Sequence, residues 1–475
     1  MGKLGKLGAI VLGCVLAGGV AYYGWRATRA RQINVCAVTD YAFRQRPNWE
    51  ESVATRFQEV NRIFRPLKIE WVLIDKVKLD PTSSGGTLDQ RRSSLADALE
   101  CHGDVKLSFT GVHAGRRTGS VNAFSRSLIV VDEPKQSDIE NARQLAHSLA
   151  NLFGTPIEPK GSNTIMTEPP ESDGFSPKSA ALIKELRDYP FSAGIDGLTP
   201  AWSNRALRAM QSAMPEKTAN PVVQANRALA LALANDRKME QALPYLREAL
   251  KLEPNNAYVH GELAGALAQL SQASEALKEI SEAVRLAPND ATLRAGYANV
   301  LSRTGDPEAG IEEMRRAVEM APNNLLFRVA LGASLMREAG KIEEALEAFR
   351  EAVKVEPNSQ FATQSLERAI GQKAKFLEEA ARRRAEAAQS PVTFAKLLTS
   401  GTAELWAGNY DGASKAFEKA LEVERANGRA RAGLAAVRYL RKDYAGAWKE
   451  VKLSRAVNFE PPAPLVAALK RKQPE

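Results

Sequence analysis

The sequence predicts an α+β domain built on a mixed sheet, followed by an all-α solenoid of helical repeats and preceded by a transmembrane helix. Three observations support this prediction. Short apolar runs rich in β-branched residues alternate with amphipathic helical segments over residues 32–190. A phrase containing proline recurs every 34 or 35 residues within residues 221–359. Residues 8–25 contain no charged side chain.

Length and charge agree with a chain of several domains that does not bind nucleic acid. A chain of 475 residues usually holds two or three domains. Its formal charge is +9, but five basic residues within residues 1–31, a segment without acids, supply +5 of it. No basic stripe with interleaved aromatic residues follows, so the sequence does not predict a nucleic-acid surface.

The first segment, residues 1–31, is predicted to be a membrane anchor with a basic flank. Gly8 to Trp25 is an apolar stretch of 18 residues between basic residues on both sides, just long enough to span a bilayer. This length favours a retained anchor over a cleaved signal, although a cut after Ala21 is an alternative. A lipoprotein at Cys14 is disfavoured, because few apolar residues precede it. The basic residues on both sides leave the orientation open.

Residues 32–190 alternate between predicted strands and helices. The strands are Ile33–Thr39, Lys68–Ile74, Val105–Thr110, an edge strand near Val121–Phe124, and Leu128–Asp132. The helices are Trp49–Phe64, Leu88–Glu100, Asp138–Phe153 and a further one from Pro177 to about Arg187. This order predicts a sheet with helices packed against it.

The helix at Asp138–Phe153 carries the string HSLANLFGTPI, which resembles the zinc motif H-E-x-x-H-x-x-G-x-x-H of metzincin peptidases. His147 stands at the first ligand position, and Gly154 stands where the family's glycine ends the helix. Ser148 replaces the general base, Asn151 the second zinc ligand and Ile157 the third. The resemblance therefore implies a metzincin-like fold whose catalytic side chains have been lost.

Two further features extend the resemblance over residues 32–190. Ser162 to Met166 is similar to the family's Met-turn, and the order of strands and helices agrees with the family. A catalytic zinc needs three protein ligands and an open water position. The resemblance thus implies a pseudopeptidase without metal or cofactor, in which His147 is a helix histidine and Met166 a core residue. An alternative is a metal-dependent peptidase with nonstandard ligands, for which the candidates are His113, His147, Glu158 and Glu168.

Cys36 and Cys101 fall at the first strand and just before the third. In the resembled fold these strands are close neighbours, so a disulfide and two free thiols are both open. The resembled family is mostly exported, which implies that the soluble part of this chain is extracytoplasmic, in the periplasm of a bacterial envelope.

The segment 221–359 is a repeat array that resembles tetratricopeptide repeats, whose period is 34 residues. Four phrases of one kind contain Pro254, Pro288, Pro322 and Pro357. Small residues recur at the predicted packing positions, which are Ala242, Ala276, Gly310 and Ala345, and again Ala249, Ala283, Ala317 and Ala352. Between them lie the bulky residues Leu246, Ile280, Met314 and Phe349. Each unit is a helical hairpin that buries its apolar face only by stacking.

The remaining segments are less regular. Residues 191–220 form a linker with a helix at Ser203–Met214, and residues 360–390 form one long charged helix. That helix is an extended half-repeat, a spacer between arrays or a protruding partner site. Residues 391–462 hold two weaker repeats, and residues 463–475 hold a capping helix and the tail.

The concave face of the repeats is predicted to bind proteins or peptides. Its helix positions are small, fairly apolar and mostly uncharged, and the candidate contact residues are Arg227, Tyr258, Asn299 and Met336. They lack the lysine and asparagine set with which some relatives clamp a terminal carboxylate. The sequence therefore predicts a membrane-anchored scaffold protein, not an enzyme, that binds partners through its repeats and through the degenerate peptidase cleft.

Overall fold

The computed structural model describes residues 30–78, 92, 102–111, 119–133, 135–215 and 218–474. These residues form two compact units, one ending at Asp236 and the other beginning at Arg237. The predicted membrane helix at residues 8–25 lies outside this range, as does the predicted helix Leu88–Glu100 apart from Arg92. Among the residues described, none of the helices combines the length and apolarity needed to cross a bilayer.

The first unit is built on a five-stranded mixed sheet. Its strand order is β2-β1-β3-β5-β4, with β4 antiparallel to β5 and every other pair parallel. The strands are β1 (Arg31–Thr39), β2 (Ile69–Lys78), β3 (Val105–Thr110), β4 (Gly119–Val121) and β5 (Ser127–Val131). β3 and β5 are buried along their whole length, as expected of central strands covered on both faces.

The edge strand differs from its predicted position. Pairing ends at Val121 instead of continuing to Phe124. Phe124 adopts a left-handed backbone with φ 59°, which breaks the extended conformation. Its N–H donates to the Leu152 carbonyl at 2.8 Å, so this segment turns from the sheet toward a helix end.

Among the residues that the structure describes, the first unit also contains six α-helices whose bounds fall within the described ranges. They are α1 (Tyr41–Arg44), α2 (Trp49–Phe64), α3 (Asp138–Asn151), α4 (Pro177–Leu186), α5 (Pro200–Ala213) and α6 (Pro221–Asn235). Ser137 caps α3 in a capping box with Glu140, which fixes where this helix begins. The predicted linker thus contains α5. The sequence assigns α6 to the repeats, but α6 lies within the compact first unit.

A buried ion network joins α2 to the carboxyl end of β5 and the start of α3. The Arg56 guanidinium is fully buried and contacts Asp132 at 2.7 Å and Asp138 at 3.2 Å. Arg46 contacts Asp132 at 2.9 Å. Burial acts to raise the pKa of Asp138, but hydrogen bonds from Ser52 and Arg56 outweigh it and leave this pKa below its usual value. Removing one partner of such a pair typically costs about 3–5 kcal/mol.

Cys36 lies in β1, fully buried, and its sulfur is in a disulfide. The alternative of a free thiol is therefore wrong for this residue. Cys14 and Cys101 lie outside the described residues, and pairing with Cys101 stays a prediction.

The second unit consists of helices. The hairpin helices before the long helix are α7 (Met239–Leu252), α8 (Ala257–Gln269), α9 (Ala273–Leu286), α10 (Ala291–Arg303), α11 (Pro307–Met320), α12 (Leu325–Leu335) and α13 (Ile342–Val355). The long helix and those after it are α14 (Gln360–Ala388), α15 (Phe394–Trp406), α16 (Tyr410–Val423), α17 (Gly428–Leu440), α18 (Tyr444–Arg455) and α19 (Ala463–Lys472).

The predicted packing positions of the repeats are confirmed. Ala242, Ala276 and Ala345 have no exposed surface, and Gly310 is buried as well. A Cβ at Gly332 on α12 would lie 2.8 Å from the Phe349 ring on α13, so the absence of a side chain lets the phenyl ring fill this interface. The small positions thus set the distance between stacked helices.

A side-chain contact to the loop between helices, called the clamp below, recurs with the 34-residue period and was not predicted from the sequence. A cationic or imidazole side chain at positions 260, 294 and 328 contacts the carbonyl of the proline six residues earlier. The distances are 2.9 Å for His260 to Pro254, 3.0 Å for Arg294 to Pro288 and 2.8 Å for Arg328 to Pro322. His260 and Arg294 also contact a glutamate 19 residues later, at 2.6 and 2.7 Å. Each clamp holds the loop between repeats against the next hairpin.

The long helix α14 packs along one side only. Ala362 and Ala369 join the core of α12 and α13, whereas Ala387 joins a core with α15, α16 and α17. Phe376 contacts Trp406 of α15 with ring centroids 5.5 Å apart. α14 is thus shared in its packing between the hairpins before and after it.

Replacing Phe349 with alanine should destabilise the second unit by about 3–5 kcal/mol, because the lost ring leaves a cavity against Gly332. Urea unfolding followed by helical circular dichroism measures the change. Leu252→Ala, at a side chain 45% exposed, is the control and should cost far less. Equal losses in both variants would contradict the packing described.

Thiol titration of the denatured full chain checks the disulfide. We expect one free thiol before reduction and three after it, since the chain has three cysteines and Cys36 is bridged. Peptide mapping should join Cys36 to Cys101, and Cys36→Ser should cost about 2–5 kcal/mol. Three thiols without reductant would contradict the bridge.

Candidate functional site

His147 lies on α3 with 4% of its surface exposed. Its Nδ1 lies 2.9 Å from the Ile165 carbonyl, an acceptor, so Nδ1 carries the proton and donates. Burial lowers the pKa of His147 below its usual value, although the Ile165 carbonyl and Glu168 act in the opposite direction. The side chain is therefore neutral at pH 7 and ties α3 to the loop that carries Met166.

The other motif positions take structural places. Met166 is fully buried, and Ser148 is 5% exposed. Gly154 adopts φ 74°, a conformation that suits glycine, and turns the chain out of the helix. Asn151 is the last residue of α3, and Ile157 is 54% exposed.

The candidate ligands of the alternative hypothesis that the structure describes are His147, Glu158 and Glu168. The described residues contain no group of three or more His, Cys, Asp or Glu side chains placed to hold a metal ion. The Glu158 carboxylate accepts hydrogen bonds from Ser176 and Ser179 at 2.6 Å each and from Thr164 at 2.9 Å, so it joins a loop to α4. Glu168 is exposed, and His113 lies outside the described residues.

A cleft of about 560 Å³ opens beside the segment 151–157. One side is the edge-strand segment and the other is formed by the end of α3 and the chain after it. Apolar side chains of α5 and α6 close the third side. The principal lining residues are Val121, Ala123, Asn151, Gly154, Ile157, Glu168, Met210, Met214 and Leu231. The lining is mainly apolar, with Glu168 as its one carboxylate among the described residues.

The C-terminal end of α6 is held to the segment after β4. Asn122 is 5% exposed and donates through Nδ2 to the Ala232 carbonyl at 2.8 Å and to Asp236 at 3.1 Å. The buried Arg92 contacts the same Asp236 carboxylate at 3.4 Å. These contacts place Leu231 of α6 in the cleft with Asn151 and Ile157. Asn122 was not singled out in the sequence, where no local pattern marks it.

The four candidate contact residues of the repeats have different surroundings. Arg227 lies on α6 and donates to Gln224 at 3.0 Å. Tyr258 is 49% exposed and its hydroxyl donates to Asp290 at 2.7 Å, whereas Asn299 is exposed. Met336 is partly buried and packs against the core of α12 and α13.

Comparison with known families and structures bears on the helical part. Residues 233–300 match one family model described as tetratricopeptide repeat, and residues 297–363 and 398–452 match another with the same description. No curated protein matches the chain.

Several solved structures are similar to part of this chain. "MamA 41-end from Desulfovibrio magneticus RS-1" is 24% identical, with 34% of this chain and 89% of that chain covered and a TM-score of 0.28. "MamA RS-1 ArsTM double mutant" is 23% identical at the same coverage and TM-score. A tetratricopeptide repeat protein from Parabacteroides merdae is 13% identical, with 53% and 98% covered and a TM-score of 0.27. The family models and the helical hairpins agree, and segments 233–363 and 398–452 of this chain are tetratricopeptide repeats.

Proposed function

We propose that this chain is a membrane-anchored, extracytoplasmic scaffold whose repeats and degenerate metzincin-like domain both bind protein partners. One observation carries the proposal. The first helices of successive repeats expose a row of uncharged side chains at 34-residue spacing, namely Tyr258, Thr292 and Leu326. Tyr258 and Leu326 are 49% and 52% exposed, and such a repeated surface suits an extended or helical partner segment.

Support for a degenerate metzincin-like domain comes from the parts of the motif that shape the backbone. The mixed sheet ends in an antiparallel edge strand, and α3 ends before Gly154 in a left-handed turn. The loop holding Met166 returns beneath α3 and binds His147 through the Ile165 carbonyl. Asn151 and Ile157 supply neither an imidazole nor a carboxylate, and Ser148 supplies no general base, so binding is favoured over hydrolysis.

The cleft offers a second partner surface. A peptide segment extended along the Val121–Ala123 side would place apolar side chains against Met210, Met214 and Leu231. Backbone groups at a sheet edge supply affinity in this mode of recognition, and pockets for alternate side chains supply specificity.

An oxidising compartment is supported by the bridged Cys36, since disulfides persist in exported proteins and are rare in the cytosol. The anchor is supported by the apolar stretch Gly8–Trp25, which could span a bilayer.

Metal content separates the scaffold from a peptidase with nonstandard ligands. We expect the purified chain to hold far less than one zinc ion per molecule, because His147 is the one imidazole at the three ligand positions of the motif. Elemental analysis of wild type and His147→Ala should give the same low value, and a broad peptide library should stay uncleaved. Stoichiometric zinc that His147→Ala removes would overturn this part of the proposal.

Two sets of variants test the two partner surfaces, with partners identified after crosslinking in intact membranes. Ala123→Pro removes a backbone N–H at the cleft and should weaken capture of cleft partners severalfold. The control Ala123→Ser keeps this N–H. The double variant Tyr258→Ala/Leu326→Ala should likewise reduce capture by the repeats, with Leu252→Ala as control. Unchanged partners in both tests would contradict the scaffold function.

A further inference from the structure

The long helix α14 has a second face that nothing in the described chain covers. Its inner face is buried at Ala362, Ala369, Ala380 and Ala387. Ile370 directly follows Ala369 and Leu377 lies three residues before Ala380, so both flank this buried face, and they are 52% and 48% exposed. Two large apolar side chains this exposed, one above the other on a single helix, indicate a contact surface.

These residues belong to a continuous apolar stripe. Ile370, Ala374, Leu377 and Ala381 are spaced by four, three and four residues, which places them on one side of an α-helix. All four are exposed. The alanines have short side chains, so a partner helix can approach closely between the two large residues.

Charged residues along one border of this stripe determine which partner fits. From the N-terminal end they are Glu367, Lys375, Glu378 and Arg382, with signs that alternate from negative to positive. All four are exposed, and Arg382, paired with Glu379 and Glu386 on its own helix, keeps 54% of its side chain accessible. An identical helix in antiparallel orientation presents the reverse order, so unlike charges meet. In a parallel pair this border would lie against the other border of the partner helix, so these charges would not face one another.

We propose that two copies of this chain associate through antiparallel α14 helices. Ile370 of each copy lies opposite Ala381 of the other, and Ala374 lies opposite Leu377. Glu367 then faces Arg382, and Lys375 faces Glu378, across the same border. The contact is isologous, so every interaction occurs twice. It goes beyond partner binding by the repeats, because its occupant is the chain itself.

The association is tested first by the mass of the full chain in solution, measured by light scattering over a range of concentrations. Ile370→Glu/Leu377→Glu should convert the dimer to a monomer at concentrations where the wild type is dimeric. Leu252→Glu, which also places a charge at an exposed leucine of the second unit, should leave the dimer intact. A monomeric wild type, or loss of the dimer in both variants, overturns the proposal.

Cysteine crosslinking tests the orientation. Positions 370 and 381 are separated by roughly 16 Å along one helix, too far for a disulfide within one chain. Ile370→Cys/Ala381→Cys should give a covalent dimer on mild oxidation, with a 370-to-381 linkage found by mass spectrometry. Each single cysteine variant should give little dimer. Efficient crosslinking of Ile370→Cys alone indicates a parallel pair and overturns the antiparallel arrangement.

Charge reversal tests the border independently of the apolar stripe. Glu367→Lys/Glu378→Lys should weaken dimerisation on the order of tenfold, since both attractive contacts become repulsive in both halves. Adding Lys375→Glu and Arg382→Glu should restore it, and failure of this rescue counts against the register. Partner capture through Tyr258 and Leu326 is measured separately. A monomeric chain that still captures partners therefore contradicts the dimer proposal and leaves the scaffold proposal intact.

Discussion

A helical hairpin of 34 residues cannot bury its apolar face by itself, and most of the second unit depends on this constraint. Each hairpin presents one bulky side chain to small residues of its neighbours. Phe417 illustrates the geometry, because Cβ atoms at Gly401 and Gly433 would lie 2.6 and 2.7 Å from its ring. At the C-terminal end, α19 covers α18 with Val466 and Leu469 packed near Trp448. In contrast, Ile370 and Leu377 of α14 stay exposed in the described chain.

In the first unit, three residues of the segment 147–166 have structural roles. Gly154 ends α3 in a conformation that suits glycine, Met166 fills the core, and His147 joins α3 to the loop before Met166. Ser148 is also buried, whereas Asn151 ends α3 and Ile157 is exposed.

The cleft links this unit to the first helix that resembles a repeat. α6 is docked by polar contacts at its C-terminal end, where Asn122 and Arg92 meet Asp236. Buried polar side chains satisfied in this way specify one docking position more sharply than an apolar contact does. The position places Leu231 in the same cleft as Ile157, so that α6 forms one wall of it.

The repeats could be predicted from the sequence because their signal is local and periodic. Small residues, bulky residues and prolines recur at fixed spacing, and each unit contacts only its neighbours. The strands and α3 were predicted for the same reason, from short apolar runs and amphipathic helical segments. Only the tertiary structure decided that α6 belongs with the sheet, that Met336 joins the core, and that α14 is covered on one face. Those outcomes depend on contacts between residues far apart in the chain, such as Asn122 with Asp236. Such contacts produce no regular spacing of residues in the sequence.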